Sequence, residues 1–173
     1  MQNKSHFLCG FDPSLDGCGY GILDIRGKKP KFAESGVVTG RTASWEAGTP
    51  HSVKLSLIRA KVTEIKAKYR PLYPYVFLEK GFVKFNNSTK AIYKARGALE
   101  SELVGFEVVE LTPTEVKKMI ASYGAATKQD VEDNVRKFLK IPPDKVFSTD
   151  DESDALAVAL AGYIIHFGGQ SEV

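Results

Sequence analysis

The sequence predicts an α/β fold with a five-stranded mixed sheet flanked by helices. Three apolar runs of strand length come first in the chain, and short turns join them, so they should pair as antiparallel neighbours. Two further strand-length runs follow, and helical segments separate them, which is typical of parallel strands joined by right-handed crossovers. A chain of 173 residues with 43% hydrophobic side chains can bury a core of its own. We therefore expect a single domain over residues 1–173.

The first three strands are predicted from apolar runs bounded by turn residues. HFLCGFD at 6–12 is predicted as a buried strand, and GYGILDI at 19–25 as a second one after a Pro-Ser turn. The third strand is expected near 31–39, after the turn GKK at 27–29. Residues 40–50 are expected to form a loop.

Helices and strands alternate in the middle of the chain. Apolar residues at helical spacing among lysines predict a helix over 51–69, which the prolines of PLYP end. YVFLE at 75–79 has the length of a buried strand, and a polar loop, KGFVKFNNSTK, follows it. A helix from about 89 to 104 and a strand, FEVVEL at 106–111, complete this part of the chain.

Three helices are predicted in the last third of the chain. TPTEVKKMIASYG begins with a capping pattern of Thr112, Pro113 and Glu115. This helix should end at Gly124. ATKQDVEDNVRKFLK is predicted as a second helix, and the third, over about 151–167, is apolar for most of its length.

The resulting order, β-β-β-α-β-α-β-α-α-α, is that of the ribonuclease H-like arrangement, and it predicts the place of four carboxylates. Asp12 ends the first strand and Glu79 ends the fourth. Because these strands should be parallel neighbours, both carboxylates should emerge at the same sheet edge. Asp151 and Asp154 are spaced i, i+3 at the start of the last helix and so share a helix face. We expect the four side chains to converge.

Each of these carboxylates also has a purely structural explanation. Asp12 could cap the turn with Pro13, Glu79 could be an ordinary strand-end residue, and Asp150 is the expected N-cap of the last helix. Together, however, four carboxylates would repel one another strongly unless a cation neutralises them. Mg²⁺ or Mn²⁺ prefers such oxygen ligands, and two ions could activate a water and stabilise the leaving oxygen in phosphodiester hydrolysis.

The net charge of +3 conceals an asymmetry along the chain. Residues 54–96 contain 11 basic and 2 acidic side chains, whereas residues 97–173 contain 7 basic and 14 acidic ones. The basic block is either a solvated helix face or a surface that binds a polyanion such as DNA, and both interpretations stay open.

Other properties argue against several classes of protein. The chain has no run of about 18 apolar residues that could span a membrane, and its first apolar stretch is too short for a secretory signal peptide. Cys9 and Cys18 lie in apolar surroundings, which suits buried thiols in a reducing compartment, so a cytoplasmic protein is expected. The histidines are scattered and no CxxC or HExxH motif occurs, which argues against a zinc site.

Five stretches carry a specific pattern: GFDPSLDGCGYGILD, VFLEKGF, ARG at 95–97, LTPTEVKKMIASYGAATKQDV and ESDALAVAL. In their order they resemble the RuvC family of Holliday junction resolvases over nearly the whole chain. The resemblance implies a homodimeric, Mg²⁺-dependent endonuclease that nicks two strands of a four-way DNA junction symmetrically, with Mn²⁺ as a substitute metal. Ser14 and Cys18 depart from the usual residues of the family, and both lie in the loop beside the predicted metal site.

The resemblance also implies roles for individual side chains. The metal-binding carboxylates of the family match Asp12, Glu79, Asp151 and Asp154. Basic residues near the scissile phosphate match Lys117 and Lys128, and an aromatic residue that stacks on bases near the junction centre matches Phe82. The other expected DNA contacts are basic and aromatic side chains: Lys80, Lys84, Phe85, Arg96 and Lys118. The helix that contains Arg96 and Gly97 falls where the family has its dimer interface.

Several of these roles have alternatives. Lys117 and Lys128 could be solvated helix lysines, and Phe82 could pack against the sheet instead of stacking on DNA bases with Phe85. The chain could also be a broader nuclease that cuts forks or flaps, or a non-catalytic junction-binding module on the same fold. The sequence carries no signal for a branch-migration motor as a partner.

Overall fold

A computed structural model describes residues 6–39, 48–81 and 87–168, without the side chains of residues 87 and 88. The strands are β1 (Phe7–Asp12), β2 (Gly17–Asp24), β3 (Lys31–Thr39), β4 (Tyr75–Glu79) and β5 (Glu107–Leu111). The helices are α1 (His51–Lys68), α2 (Asn87–Glu102), α3 (Pro113–Ala121), α4 (Lys128–Leu139) and α5 (Asp150–Phe167). Their order along the chain is the predicted one, and most of the expected loop at 40–50 lies outside the described residues.

The strands form one sheet of order β3-β2-β1-β4-β5. β2 pairs antiparallel with both β1 and β3, whereas β4 pairs parallel with both β1 and β5. The predicted five-stranded mixed sheet flanked by helices is therefore confirmed. Gly10 of β1 lies opposite Phe77 of β4, and this parallel register brings the carboxyl ends of the two strands to the same edge.

Helix α5 crosses β1 and β2 so closely that three strand positions, Gly10, Gly19 and Gly21, have no room for a side chain. A Cβ atom on Gly10 would collide with the backbone of Ala159, and one on Gly19 would collide with the backbone carbonyl of Asp151. The helix contributes mostly small side chains to this contact, in the run DALAVALAG. The contact therefore brings the first turn of α5 over the end of β1 and the start of β2.

Apolar side chains cover both faces of the sheet. On one face, Phe77 and Leu156 belong to a core that also includes residues of α3 and α4. On the other face, Leu78 packs in a second core with Ile58 of α1 and Leu99 of α2. The sheet thus lies between two layers of helices. None of the helices in the described part of the chain combines the length and hydropathy that a membrane crossing requires.

The start of α3 agrees with its prediction, and the end does not. The side chain of Thr112 accepts from the amide of Glu115 at 3.2 Å, and the amide of Thr112 donates to the carboxylate of Glu115 at 2.7 Å, as the capping pattern indicated. The helix ends at Ala121 and not at Gly124, because Ser122 adopts a left-handed backbone conformation with φ of 65°. The other predicted boundaries lie within two residues of the observed ones.

Replacing Gly10 by Ala should lower the free energy of unfolding by about 2–4 kcal/mol, because the added methyl group meets helix backbone that cannot rotate away. Urea unfolding monitored by circular dichroism measures the effect. Gly97→Ala is the matched control: a Cβ atom there meets nothing within 4 Å, so the helix should gain about 0.5–1 kcal/mol. Equal stability of the Gly10 variant and the wild type would contradict the close approach of α5.

Candidate active site

The four predicted carboxylates come from three separate backbone elements and meet at one edge of the sheet. Asp12 and Glu79 are the last residues of the parallel neighbours β1 and β4. Asp12 also lies opposite Gly19 in the β1–β2 pair, and the backbone of Asp151 passes directly over that glycine. Asp154 follows in the same turn of α5. The convergence predicted from the strand order is therefore present in the fold.

Burial and repulsion by acidic neighbours make three of these carboxylates, Asp12, Glu79 and Asp151, costly to ionise. Burial raises the pKa of Asp12 to about 8, and the charges of the other three carboxylates add to the effect. The pKa of Glu79 rises to about 7, again through burial first and then through its acidic neighbours. Burial and the charge of Asp154 also raise the pKa of Asp151. Such a group of carboxylates is stabilised when positive charge is added to it.

Lys128, on α4, supplies one positive charge. Its Nζ donates to Oδ2 of Asp154 at 2.9 Å and to Oδ2 of Asp150 at 3.4 Å, and these contacts raise the pKa of the lysine. The lysine side chain is 63% exposed, so the pair can open without uncovering a buried surface. Asp150 is the first residue of α5 and Thr149 is its N-cap, so the prediction that Asp150 caps the helix is wrong.

The four carboxylates are chemically suited to a hard divalent cation, although their oxygens do not surround a common point in this structure. Within residues 6–39, 48–81 and 87–168, no three His, Cys, Asp or Glu side chains form a group that could hold a metal ion. Lys128 occupies one oxygen of Asp154, and repulsion keeps like charges apart. The four donors are nonetheless all carboxylates, on two strands and one helix that the core holds in place, and Mg²⁺-like cations prefer such oxygens.

A cavity of about 230 Å³ opens beside the carboxylates, between α3, α4 and α5. Glu79, Asp154, Lys117 and Lys128 line its polar side. Its apolar wall is formed by Pro113, Val116, Val131 and Ala157. Lys117 also favours the charged form of Glu79. The structure thus brings the two predicted catalytic lysines to the same place as the carboxylates.

The predicted DNA contacts are distributed differently. Phe82, Lys84 and Phe85 lie outside the described residues. Lys80 follows the end of β4 and is exposed, and so is Lys118 on α3. Lys80 directly follows Glu79 at the carboxylate edge, whereas the aliphatic part of Lys118 lies near Gly124, beyond the end of α3.

Arg96 is already engaged by carboxylates of its own chain. Its side chain is 18% exposed; its Nε donates to Oε1 of Glu100 at 2.5 Å and its guanidinium also pairs with Glu110. The pair with Glu110 joins α2 to β5, whereas the pair with Glu100 lies within α2. A structural role for this arginine is therefore visible in the fold, whereas its predicted DNA contact stays a prediction.

The basic side chains of α1 are also mostly paired within the chain. The ion pairs are Lys54–Asp16, Arg59–Glu102, Lys61–Glu64 and Lys68–Glu34. These pairs offset much of the positive charge that the sequence concentrates in residues 54–96. For α1, the interpretation as a solvated helix face is thus favoured over a polyanion-binding surface.

Glu152, next to Asp151 in the first turn of α5, also belongs to this part of the molecule. Its side chain is 2% exposed. Burial by itself raises the pKa of Glu152, but hydrogen bonds from Lys145, Ser35 and Ser148 outweigh it and lower that pKa to about 2. Glu152 stands at helical spacing before the apolar positions 155, 156 and 159, and this was the signal that it faces the core.

Comparison with known proteins assigns the chain to a family. The sequence model described as "Crossover junction endodeoxyribonuclease RuvC" matches residues 8–162. The chain belongs to the RuvC family. A RuvC of Natranaerobius thermophilus is 33% identical over 156 residues, which are 88% of this chain and 91% of that protein. A RuvC of Heliobacterium modesticaldum is 34% identical, with the same shares covered.

The fold is similar to a solved RuvC structure. RuvC of Thermus thermophilus in complex with a Holliday junction substrate superposes with a TM-score of 0.80 at 26% identity, and the match covers 96% of this chain and 98% of the other. The family, the nuclease class and the ribonuclease H-like fold expected from the sequence are therefore confirmed. Membership of the RuvC family implies catalysis that depends on divalent metal ions.

Replacing Asp12 by Asn should raise the free energy of unfolding of the protein in EDTA by about 1–3 kcal/mol at pH 7. With a pKa of about 8 in the fold, Asp12 must take up a proton on folding at this pH, and Asn keeps the shape without that cost. Urea unfolding measures the difference. Asp133→Asn, on the exposed side of α4, is the control and should change stability by no more than about 0.5 kcal/mol. A destabilised Asp12 variant would contradict a repulsive environment at this position.

Proposed function

We propose that this chain resolves four-way DNA junctions by metal-dependent phosphodiester hydrolysis. The observation that carries the proposal is the convergence of four carboxylates at one sheet edge, beside two lysines in a common cavity. Membership of a family of crossover junction endodeoxyribonucleases supports it, and so does the relative whose structure contains a Holliday junction.

The residues that would hold the metal are Asp12, Glu79, Asp151 and Asp154. We propose two Mg²⁺ ions in each site, with Mn²⁺ as a substitute. When bound, the two ions would lower the pKa of an attacking water and neutralise charge on the leaving oxygen. In the reaction, the water oxygen bonds to phosphorus while one ester P–O bond breaks, and the departing oxygen takes up a proton.

Lys117 and Lys128 are proposed to neutralise charge that develops on the phosphate in the transition state. Both line the cavity beside Glu79 and Asp154. Lys128 is exposed, so rotation of its side chain can move the ammonium group from Asp154 to a phosphate oxygen. The apolar wall of the cavity limits water around these charges, which strengthens their interactions.

We propose that two copies act together as a homodimer, because symmetric nicking of two strands needs two sites related by a two-fold axis. Helix α2 is the proposed contact surface, and Tyr93 on this helix is 52% exposed. A DNA contact by Arg96 would require its pairs with Glu100 and Glu110 to open.

The remaining DNA contacts and the setting of the enzyme are also proposals. Phe82 and Phe85 would stack on bases near the junction centre, and lysines would contact the phosphates: Lys80, Lys84 and Lys118. One nuclease domain and a cytoplasmic location are supported by a single sheet that carries the described helices and by the free, buried thiols of Cys9 and Cys18.

Two other functions differ from this proposal in measurable ways. A broader branched-DNA nuclease would cut forks and flaps as well as junctions. A non-catalytic junction-binding module would cut nothing, and the repulsion and burial that raise the pKa of Asp12 and Glu79 would then bring no benefit to offset their cost. The cluster of four carboxylates therefore favours an enzyme over a non-catalytic binding module.

Cleavage of a labelled immobile four-way junction in Mg²⁺ tests the proposal. Paired, symmetric nicks are expected with the wild type. Asp12→Asn, Glu79→Gln and Asp154→Asn should each lower the rate by about 10³-fold or more, because each removes a ligand charge. Junction binding, measured by mobility shift in Ca²⁺, should remain within about threefold of the wild-type value.

The control for this experiment is Asp133→Asn, an exposed change on α4, which should leave the rate unchanged. Full activity in a ligand variant would remove that residue from the site. Forks and flaps cut at the junction rate would establish the broader nuclease, and tight binding without any metal-dependent nick would establish the binding module.

Replacing Lys128 by Met should have opposite effects on catalysis and on metal binding. The nicking rate should fall by about 100-fold because a charge near the phosphate is lost, whereas Mn²⁺ should bind more tightly because no ammonium group competes for Asp154. Isothermal titration with Mn²⁺ and single-turnover cleavage measure the two effects. Lys137→Met, exposed elsewhere on α4, should change neither. Weaker Mn²⁺ binding by the Lys128 variant would contradict this competition.

A further inference from the structure

We propose that Glu152 is a positioning residue for the metal site, fixing the first turn of α5 and thereby the places of Asp151 and Asp154. The inference rests on the proposed function, since it takes these two carboxylates as metal ligands. Glu152 itself is not a candidate ligand, because its carboxylate is turned into the protein and is consumed by other contacts.

The two oxygens of Glu152 accept four hydrogen bonds in a buried position. Oε1 accepts from the hydroxyl of Ser35 at 2.6 Å and from Nζ of Lys145 at 2.6 Å. Oε2 accepts from the amide of Ser148 at 2.8 Å and from its hydroxyl at 2.9 Å. A charged acceptor with four donors in a place that is 2% exposed holds its backbone far more firmly than a surface pair would.

The donors to Glu152 come from two other parts of the fold. Ser35 lies on β3 and is paired with Gly21 of β2, so one of the four bonds ties α5 to the sheet. Lys145 and Ser148 lie in the segment between α4 and α5, residues 145–148. Glu152 therefore joins the start of α5 to the sheet and to the connection that precedes it.

The segment 145–148 is in turn fixed to α4, the helix that carries Lys128. Arg136 of α4 donates from its guanidinium to the carbonyl of Lys145 at 3.0 Å, and the same guanidinium lies 4.1 Å from the ring centre of Phe147. Glu152 and the segment 145–148 thus connect the helix that carries Asp151 and Asp154 to the helix that carries Lys128.

The direction of the side chain suits this role. Successive residues of an α-helix are rotated by about 100°, so Glu152 projects well away from the common face of Asp151 and Asp154. It can hold the turn from the protein side while the other two carboxylates face the sheet edge. Without such a hold, repulsion by Asp12 and Glu79 would act against the close approach of this turn.

A neutral amide cannot replace the carboxylate. With its NH₂ group in the place of Oε1, a glutamine would face the ammonium group of Lys145; with that group in the place of Oε2, it would face the amide hydrogen of Ser148. Either orientation sets two donors against each other in a buried position. Glu152→Gln therefore preserves size and disrupts the hold on α5.

The test compares Glu152→Gln with Glu34→Gln in the full chain. Glu34 is a matched control because it lies on β3 next to Ser35, and its carboxylate accepts from Lys68, Tyr69 and Tyr20. Isothermal titration measures the Kd for Mn²⁺, urea unfolding measures stability, and mobility shift in Ca²⁺ measures junction binding.

The Kd for Mn²⁺ should rise by about 10–100-fold in Glu152→Gln, as expected when a group that orients metal ligands is lost. Junction binding should stay within about threefold of the wild-type value. Both variants should unfold at lower urea concentration, yet Glu34→Gln should bind Mn²⁺ like the wild type. The metal affinity therefore separates positioning from a general loss of stability.

Several outcomes would overturn the proposal. An unchanged Kd for Mn²⁺ in a destabilised Glu152→Gln would leave the residue a merely structural one, and an equal loss of Mn²⁺ affinity in Glu34→Gln would mean that any loosening of the fold disturbs the site. A wild type that neither binds Mn²⁺ nor cuts the junction would refute the proposed function instead, and the positioning role with it.

A second variant covers the case in which Glu152→Gln does not fold. Ser35→Ala removes one of the four hydrogen bonds and leaves the carboxylate paired with Lys145 and Ser148, so the protein should remain folded. Its Kd for Mn²⁺ should rise by about threefold or more, in line with the loss of one buried bond. No change in that Kd would count against the proposal.

Discussion

The rest of the structure depends on the close approach of helix α5 to strands β1 and β2. Gly10 and Gly19 remove the side chains that would keep the helix backbone at an ordinary distance from the sheet. As a consequence, the first turn of α5 lies above the place where β1 ends. Parallel pairing of β1 with β4 adds Glu79 to the same edge. A packing constraint among small residues thus decides which carboxylates meet.

The assembled site works against the stability of the fold, and other contacts compensate for it. Asp12 and Glu79 are costly to ionise where they lie. Lys128 adds a positive charge from an exposed position, where it can be exchanged, whereas Glu152 holds the backbone from the buried side with contacts that have no such freedom. The first turn of α5 is therefore contacted on its solvent side by a lysine that can move and on its buried side by hydrogen bonds that are fixed.

Much of this arrangement could be predicted from the sequence, because strand order alone places the ends of β1 and β4 side by side. The i, i+3 spacing of Asp151 and Asp154 likewise predicts that they share one face of the last helix. The pairs of Arg96 with Glu110 and of Lys54 with Asp16 could not be predicted in this way, since each joins separate parts of the fold. The same holds for Glu152, whose donors lie on β3 and in the connection before α5.

The contact of α5 with the sheet has a consequence for genetics. A screen for inactive alleles usually points to residues with reactive groups, but here it should also recover changes at positions that bear no side chain at all. Substitutions at Gly10 or Gly19 would push the backbone of α5 away from the sheet while every carboxylate of the candidate site stays in the sequence. In this protein, the glycines under α5 should therefore be as intolerant of substitution as the carboxylates.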